Sequence, residues 1–291
     1  MIPPAHFALI ALIDIVWAFN MIAIKYAMDE VSPLVAVFLR YAIVLMVCAP
    51  WLRWLPGRMT TILLTGLFGG ALYFGIGGVS IAITENVSAL AIVGQLSVPF
   101  SLILAVIFLK ERIRWPRILG VTLSFLGVVI LGFDPTLVHE WLGIILTVIA
   151  TFLYAISSLL MRKLKGVHPL NIHAWLALIS LPLLAGASLI FEPGSLARVG
   201  DIRLGTVGWL AYSAIGASVI GHAGMSWLLQ KHPVSVIAPL TLPTPLLTVA
   251  LGVMLLDTPI TPQLLAGGLV ALVGVSIVTL RTARAQVREG Q

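Results

Sequence analysis

Few polar side chains interrupt the apolar runs of this chain, and those few define the chemistry open to it. Asp14 lies within the run 5–28, roughly 13 Å along a helix from Ala5. Inserting a carboxylate that deep into an apolar layer costs about 2.5–3.5 kcal/mol, so it must be protonated, paired or wetted. It reads either as a proton-linked or amine-binding carboxylate, or as the ion-pair partner of Arg40 in the next run or a cap-like contact near the cytoplasmic face. Arg40 in turn either pairs with a carboxylate or lines a wetted vestibule, whereas Lys25, a turn from its helix end, can snorkel outward. Trp17 and Asn20 are three apart and share a helix face near the middle of the first run. An amide in hydrocarbon needs partners, and Trp ordinarily collects at the interface rather than the middle. Tyr73, Tyr154 and Ser158 fall at comparable depth, where they either contact a ligand or bond helix to helix. Gln95 is a mid-run amide beside Gly94, with Pro99 removing a backbone donor one turn later. Backbone freed in that way is tolerated only against protein or a watery cavity. His222, flanked by Gly221 and Ala223-Gly224, is either a packed histidine or a contact for a carboxylate or ring.

Other chemistries lack their residues. His222 has no second His, Cys or carboxylate at ligand spacing, so no metal is expected, and no motif calls for a cofactor. A membrane-embedded enzyme of lipid or isoprenoid metabolism would need clustered carboxylates or a nucleophile with its base. The chain has no DxxxD, HExxH, GxSxG or Gly-rich phosphate loop, which disfavours that alternative. A passive pore would show a repeated polar ring down one helix, and none is evident.

These residues are carried by an apolar chain. It is 60% hydrophobic and 10% charged, far from the roughly 25% charge of soluble domains. Ten apolar runs are predicted at 5–28, 33–51, 60–83, 86–109, 116–133, 140–161, 171–191, 205–230, 234–256 and 262–280. Each approaches the length of a membrane-crossing helix. The short connectors decide orientation. With the N-terminus inside, thirteen Lys and Arg fall on the inner side, including Arg53, Arg58, Lys110, Arg112, Arg284 and Arg288, against Arg198 and Arg203 outside. Both termini are therefore expected in the cytoplasm of a cell with an inner membrane. Confinement of the basic residues to short loops argues against a nucleic-acid partner. The lone Cys48 excludes an internal disulfide, and the start of the chain reads as an uncleaved first span.

The chain also repeats itself. Val87-Ser88, Ala91, Pro99, Glu111 and Pro116 are answered by Val234-Ser235, Ala238, Pro245, Asp257 and Pro262. Ten spans in two copies leave five per copy, and an odd number turns the second copy upside down. The expected fold is therefore all-α and integral to the membrane, with ten transmembrane helices in two inverted five-helix repeats, 1–133 and 134–291. Such repeats bind substrate near the midplane where they meet. Trp17, Asn20, Tyr73, Gln95, Tyr154, Ser158 and His222 are the expected lining, Asp14 and Arg40 the coupling or ion-pair groups, and Pro99 and Pro245 the hinges.

Two five-span copies, each with a Pro-containing fourth span, an acidic loop residue, Pro, and a Gly-Val-rich last span (Gly127-Val128-Val129 and Gly274-Val275-Ser276), resemble the drug/metabolite transporter superfamily. Within it the chain is similar to EamA-type exporters and to their aromatic amino-acid branch. The resemblance implies export of amino acids or similar small metabolites by alternating access, either downhill or proton-linked. It implies the lipid bilayer and a small-molecule substrate as partners, for a chain expected to act as a monomer.

Overall fold

The computed structural model describes residues 3–110, 113–137, 139–232 and 234–289, and of 234, 235, 238 and 282–289 the backbone alone. The expectations on Glu111, Arg112, Arg284 and Arg288, and on the side chains of Val234, Ser235 and Ala238, lie outside the described residues. Ten apolar helices follow one another: α1 Pro4–Met28, α2 Pro33–Trp51, α3 Met59–Ile83, α4 Val87–Leu109, α5 Trp115–Leu131, α6 Trp141–Leu164, α7 Pro169–Phe191, α8 Leu204–Lys231, α9 Pro239–Leu256 and α10 Pro262–Arg281. Nine have the length and apolar character to cross a membrane, and α5 is a shorter apolar helix. Proline opens α1, α2, α7 and α10, because its fixed φ suits the first turn and its missing N–H is not needed there. Phe108, Phe133, Leu189, Met254 and Leu269 point outward and exposed. Trp51, Trp54, Trp115 and Trp141 lie exposed at helix ends, where an amphipathic ring suits a membrane interface. The chain is a multi-pass membrane protein.

The packing is two-fold. α3 lies against α6 as α8 lies against α1, α4 against α6 as α9 against α1, and α2 packs on α7 and α5 on α10. The α5–α10 contact is made of Gly120, Ser124 and Gly127 on one side and Gly267, Ala271 and Gly274 on the other. A Cβ on Gly120 would fall 2.8 Å from the Gly274 carbonyl oxygen, and one on Gly127 would fall 2.5 Å from that of Gly267. The first glycine of each copy thus meets the last of the other, as an inverted repeat requires, and only small residues let the backbones come so close.

The fourth and ninth runs are not single helices. α4 breaks after Gly94 and resumes at Ser97. The run 234–256 begins as a short helix, Val234–Ile237, passes through a tighter turn at Ala238–Thr241, and resumes at Pro243. Pro99 and Pro245 are each the third residue of the second piece. Neither proline donates to the carbonyl four residues earlier, at Gln95 and Thr241, and there the helix gives way. The bend expected at the prolines therefore lies a turn before them. Both pieces end on a left-handed residue, Lys110 at φ 54° and Asp257 at φ 50°. Lys110 and Asp257 are thus counterparts in backbone conformation, at the ends of helices of 13 and 14 residues. The third helix of each copy is also irregular: α3 widens to a π-helix over Leu67–Leu72 and α8 over Tyr212–Ala223, a distortion that commonly accompanies function.

Even-numbered helices start on the face away from the N-terminus, and carboxylates bond at or beside the starts of α2, α4, α8 and α10, where a helix's first N–H groups lack partners of their own. Glu192 accepts from Leu34 and Val35 N at α2, and Glu140 from Glu85 and Asn86 N at α4. Burial pushes the Glu140 carboxyl up despite those bonds. At α8, Glu30 accepts from Thr206 and from the backbone and side chain of Arg203, and the Thr206 bond foremost holds its carboxyl low. At α10, Asp134 accepts from Thr261, whose own hydroxyl accepts from Leu264 N at 3.0 Å. Lys25 does not snorkel. Its ammonium donates to the carbonyls of Ile81, Ala82 and Thr84 at 3.0, 3.2 and 2.7 Å, closing the end of α3.

Candidate functional site

A cavity of about 450 Å³ lies where the two copies meet, walled by α1, α3, α4, α6, α8 and α9, with Val37 and Arg40 of α2 on one side. It draws on both distorted helices and both broken ones. Trp17 and Tyr154 each stand 13 residues after their helix starts, at Pro4 and Trp141, and each leans on the third helix of the opposite copy. Tyr154 packs on Tyr73 with ring centroids 4.8 Å apart, and Trp17 on His222 at 5.0 Å. Phe74 links the two halves, 4.5 Å from Tyr73 and 5.9 Å from His222. Trp17 reaches this place because position 221 is glycine: a Cβ there would fall 2.9 Å from Trp17 Cδ1. Its indole N–H then donates to the Ala217 carbonyl at 3.2 Å, within the π-helical stretch.

The polar lining is sparse and mostly neutral. Asn20 faces the cavity, and its Oδ1 is buried with no hydrogen-bond partner among the described residues. Gln95 and Thr241 stand at the two helix breaks. Thr147 and Thr151 of α6 and Thr244 and Thr248 of α9 add hydroxyls. Arg40 is buried, and its Nε and Nη2 donate to Ser218 Oγ at 3.0 and 2.9 Å. Its guanidinium carbon lies 4.3 Å from the Phe74 ring centroid. Among the described residues no cluster of His, Cys, Asp and Glu could hold a metal ion.

Of the residues singled out in the sequence, Trp17, Asn20, Arg40, Tyr73, Gln95, Tyr154, His222 and Pro245 line this cavity. Ser158 does not: it lies a turn beyond and bonds to Tyr154. Pro99 is buried and is not part of the lining. Asp14 is not paired with Arg40; it is buried and accepts from Thr244 Oγ1 at 2.7 Å, one residue behind the lining. His222 is at once packed and exposed to the cavity. Phe74 and the four threonines were not singled out. A lone Phe carries no polar signal. Thr151 and Thr248 bond back to the carbonyls of Thr147 and Thr244, which hides such residues in an apolar run.

The chain matches the model of the EamA-like transporter family over residues 6–133 and 141–280. It belongs to that family. The two matched segments cover one copy each, so this is a transporter chain within the drug/metabolite transporter superfamily. An uncharacterized transporter of Archaeoglobus fulgidus is 28% identical over 274 residues, covering 90% of this chain and 94% of its own. A probable amino-acid metabolite efflux pump of Salmonella typhimurium is 25% identical over 280 residues, covering 91% and 92%. A crystal structure with 19% identity superposes with a TM-score of 0.63 over 98% of this chain and 99% of its own, a likeness of fold.

Proposed function

We propose that this EamA-family transporter exports amino acids, aromatic ones in particular, or closely similar metabolites from the cytoplasm. The observation that carries the reading is the cavity between the copies, a ring-lined space with a few polar groups at the two helix breaks. In this reading Tyr73, Tyr154 and Trp17 receive the apolar side chain of the substrate, while Asn20, Gln95 and His222 hold its polar end. Ser158 supports Tyr154 from behind. The units 1–133 and 134–291 rock against each other about α5 and α10, with the bends before Pro99 and Pro245 gating opposite sides. The basic bias of the loops supports an inner membrane with both termini in the cytoplasm. The efflux-pump name of the Salmonella relative supports the direction. In the proton-linked form of this reading Asp14 couples transport to protons, through Thr244 at the cavity wall. The test is efflux of radiolabelled amino acids from proteoliposomes with and without a pH gradient. Gradient-driven efflux that is lost in Asp14→Asn, with exchange retained, supports coupling. Equal rates with and without the gradient make the protein a facilitator, and no efflux of any amino acid refutes the proposal.

A further inference from the structure

Arg40 is a cation in the cavity wall with no charge partner among the described residues. It is 3% exposed, and no described carboxylate lies within ion-pairing distance. The described ion pair of the chain, Arg203 with Glu30, is in the loops. Glu192, Glu140 and Asp134 are spent on helix starts, and Asp14 is bonded by Thr244. Burying an unpaired charge is costly, so such a group persists where something else repays it. Its geometry indicates what. Ser218 occupies the side edge of the guanidinium, at Nε and Nη2, and Phe74 covers one face. Among the described residues the Nη1 hydrogens have no partner, so the end edge of a cavity-lining arginine stays open. That edge presents two parallel N–H donors, the pattern that matches a carboxylate.

A second, independent group has the opposite need. Asn20 Oδ1 is a buried acceptor without a donor in the same cavity. Buried polar groups are ordinarily satisfied, and an ammonium is a donor with no acceptor of its own. We infer that Arg40 is the receptor for the substrate carboxylate and Asn20 the acceptor for its ammonium, so that the cavity selects zwitterionic amino acids and rejects amines that lack the carboxylate. Tyr73 and Tyr154 then meet the side chain. This rests on the reading of the cavity as the substrate site, and it makes Arg40 a binding group rather than a coupling or ion-pair group.

The test needs no knowledge of the natural substrate. The purified full-length protein is titrated calorimetrically with phenylalanine, its methyl ester, 3-phenylpropanoate and leucine. Phenylalanine binds tightest. The ester, which has the ring and the ammonium but no anion, binds roughly 10- to 150-fold more weakly, the worth of a hydrogen-bonded charge. Arg40→Gln erases the difference between acid and ester by weakening the acid alone, and Arg40→Lys retains part of it. Asn20→Ala erases the preference for phenylalanine over 3-phenylpropanoate and spares that over the ester. Wild-type protein that binds the ester as tightly as the acid overturns the inference and leaves the cavity reading standing. So does an Arg40→Gln variant that weakens both alike. If Arg40→Gln does not fold, the wild-type series and Arg40→Lys decide. If no member of the series binds, the cavity reading fails and the inference with it.

Discussion

Gly221 is the residue on which the position of Trp17 depends, and Gly221→Ala should damage the site by pushing directly on the Trp17 indole. The added Cβ would stand 2.9 Å from Trp17 Cδ1 and 3.2 Å from Cε2, inside the 3.5–4.0 Å at which carbon atoms attract. Trp17 Nε1 would stand nearer still, so the indole or α8 must give way by on the order of 1 Å or more to restore ordinary contact. Retreat strains the indole bond to the Ala217 carbonyl, worth about 1 kcal/mol net. It also loosens the ring contact with His222, worth about 0.5–1.5 kcal/mol. Overpacking of a dense interior costs about 1–3 kcal/mol, so the variant should lose about 2–3 kcal/mol of stability. It should bind an aromatic ligand about tenfold less tightly if about 1.4 kcal/mol of ring contact is lost. The control is Gly77→Ala in the same cavity. Nothing lies within 4 Å of a Cβ there, and an alanine in a helix is favoured over glycine by about 0.8–1 kcal/mol. The assay is thermal unfolding of the two variants in detergent, followed by ligand titration. A Gly221→Ala protein as stable as wild type, with unchanged affinity, would refute the argument that this glycine seats Trp17.

Three other predictions follow from the same geometry. Gln95→Ala should weaken ligand binding by about tenfold and leave ligand-free stability intact; the reverse pattern would make Gln95 a packing residue of the break. Pro99→Ala and Pro245→Ala supply the backbone N–H that proline lacks, so both should straighten a helix and slow transport while the protein still reaches the membrane. Wild-type transport rates in both would mean that the prolines only shape packing. Burial raises the Asp134 carboxyl, but three hydrogen bonds from Thr261 and Thr136 outweigh it and hold it below the usual range. A lowered carboxyl stabilises the fold above its unfolded value, about 3.9, and that stability fades as pH falls through the folded value. Melting temperatures measured from about pH 5 to 3 should therefore fall less steeply in Asp134→Asn than in wild type.

The helices were legible in the sequence because hydrophobic length, short loops and opening prolines are local signals. The duplication was legible through its paired prolines. The helix breaks had local signals in Gly94, which ends the first piece of α4, and in Pro239 and Pro243, which flank Thr241; their exact place, a turn before Pro99 and Pro245, did not. The widened turns of α3 and α8 have no signature beyond glycine; Ser157 and Ser180 come close at Gly69 and Gly70, and Trp17 at Gly221. Depth along a helix placed Trp17, Asn20, Tyr73 and Tyr154 at one level but could not tell which face was wetted. Ser158 and Asp14 share that level and stand behind the wall. Of the two readings open for Arg40, the pairing with Asp14 does not form, because Asp14 is bonded by Thr244, which the sequence could not show.

The most direct test of the cavity as the substrate site is protection from modification. Ala150 lines the cavity and is 1% exposed, so in a Cys48→Ala background a cysteine at Ala150 reports on that space alone. Its reaction with a small methanethiosulfonate reagent should slow by about tenfold or more when an exported amino acid is present at ten times its dissociation constant, and should recover when that ligand is removed. An Ala150→Cys variant that transports the amino acid yet reacts at the same rate with and without it would place the substrate path elsewhere.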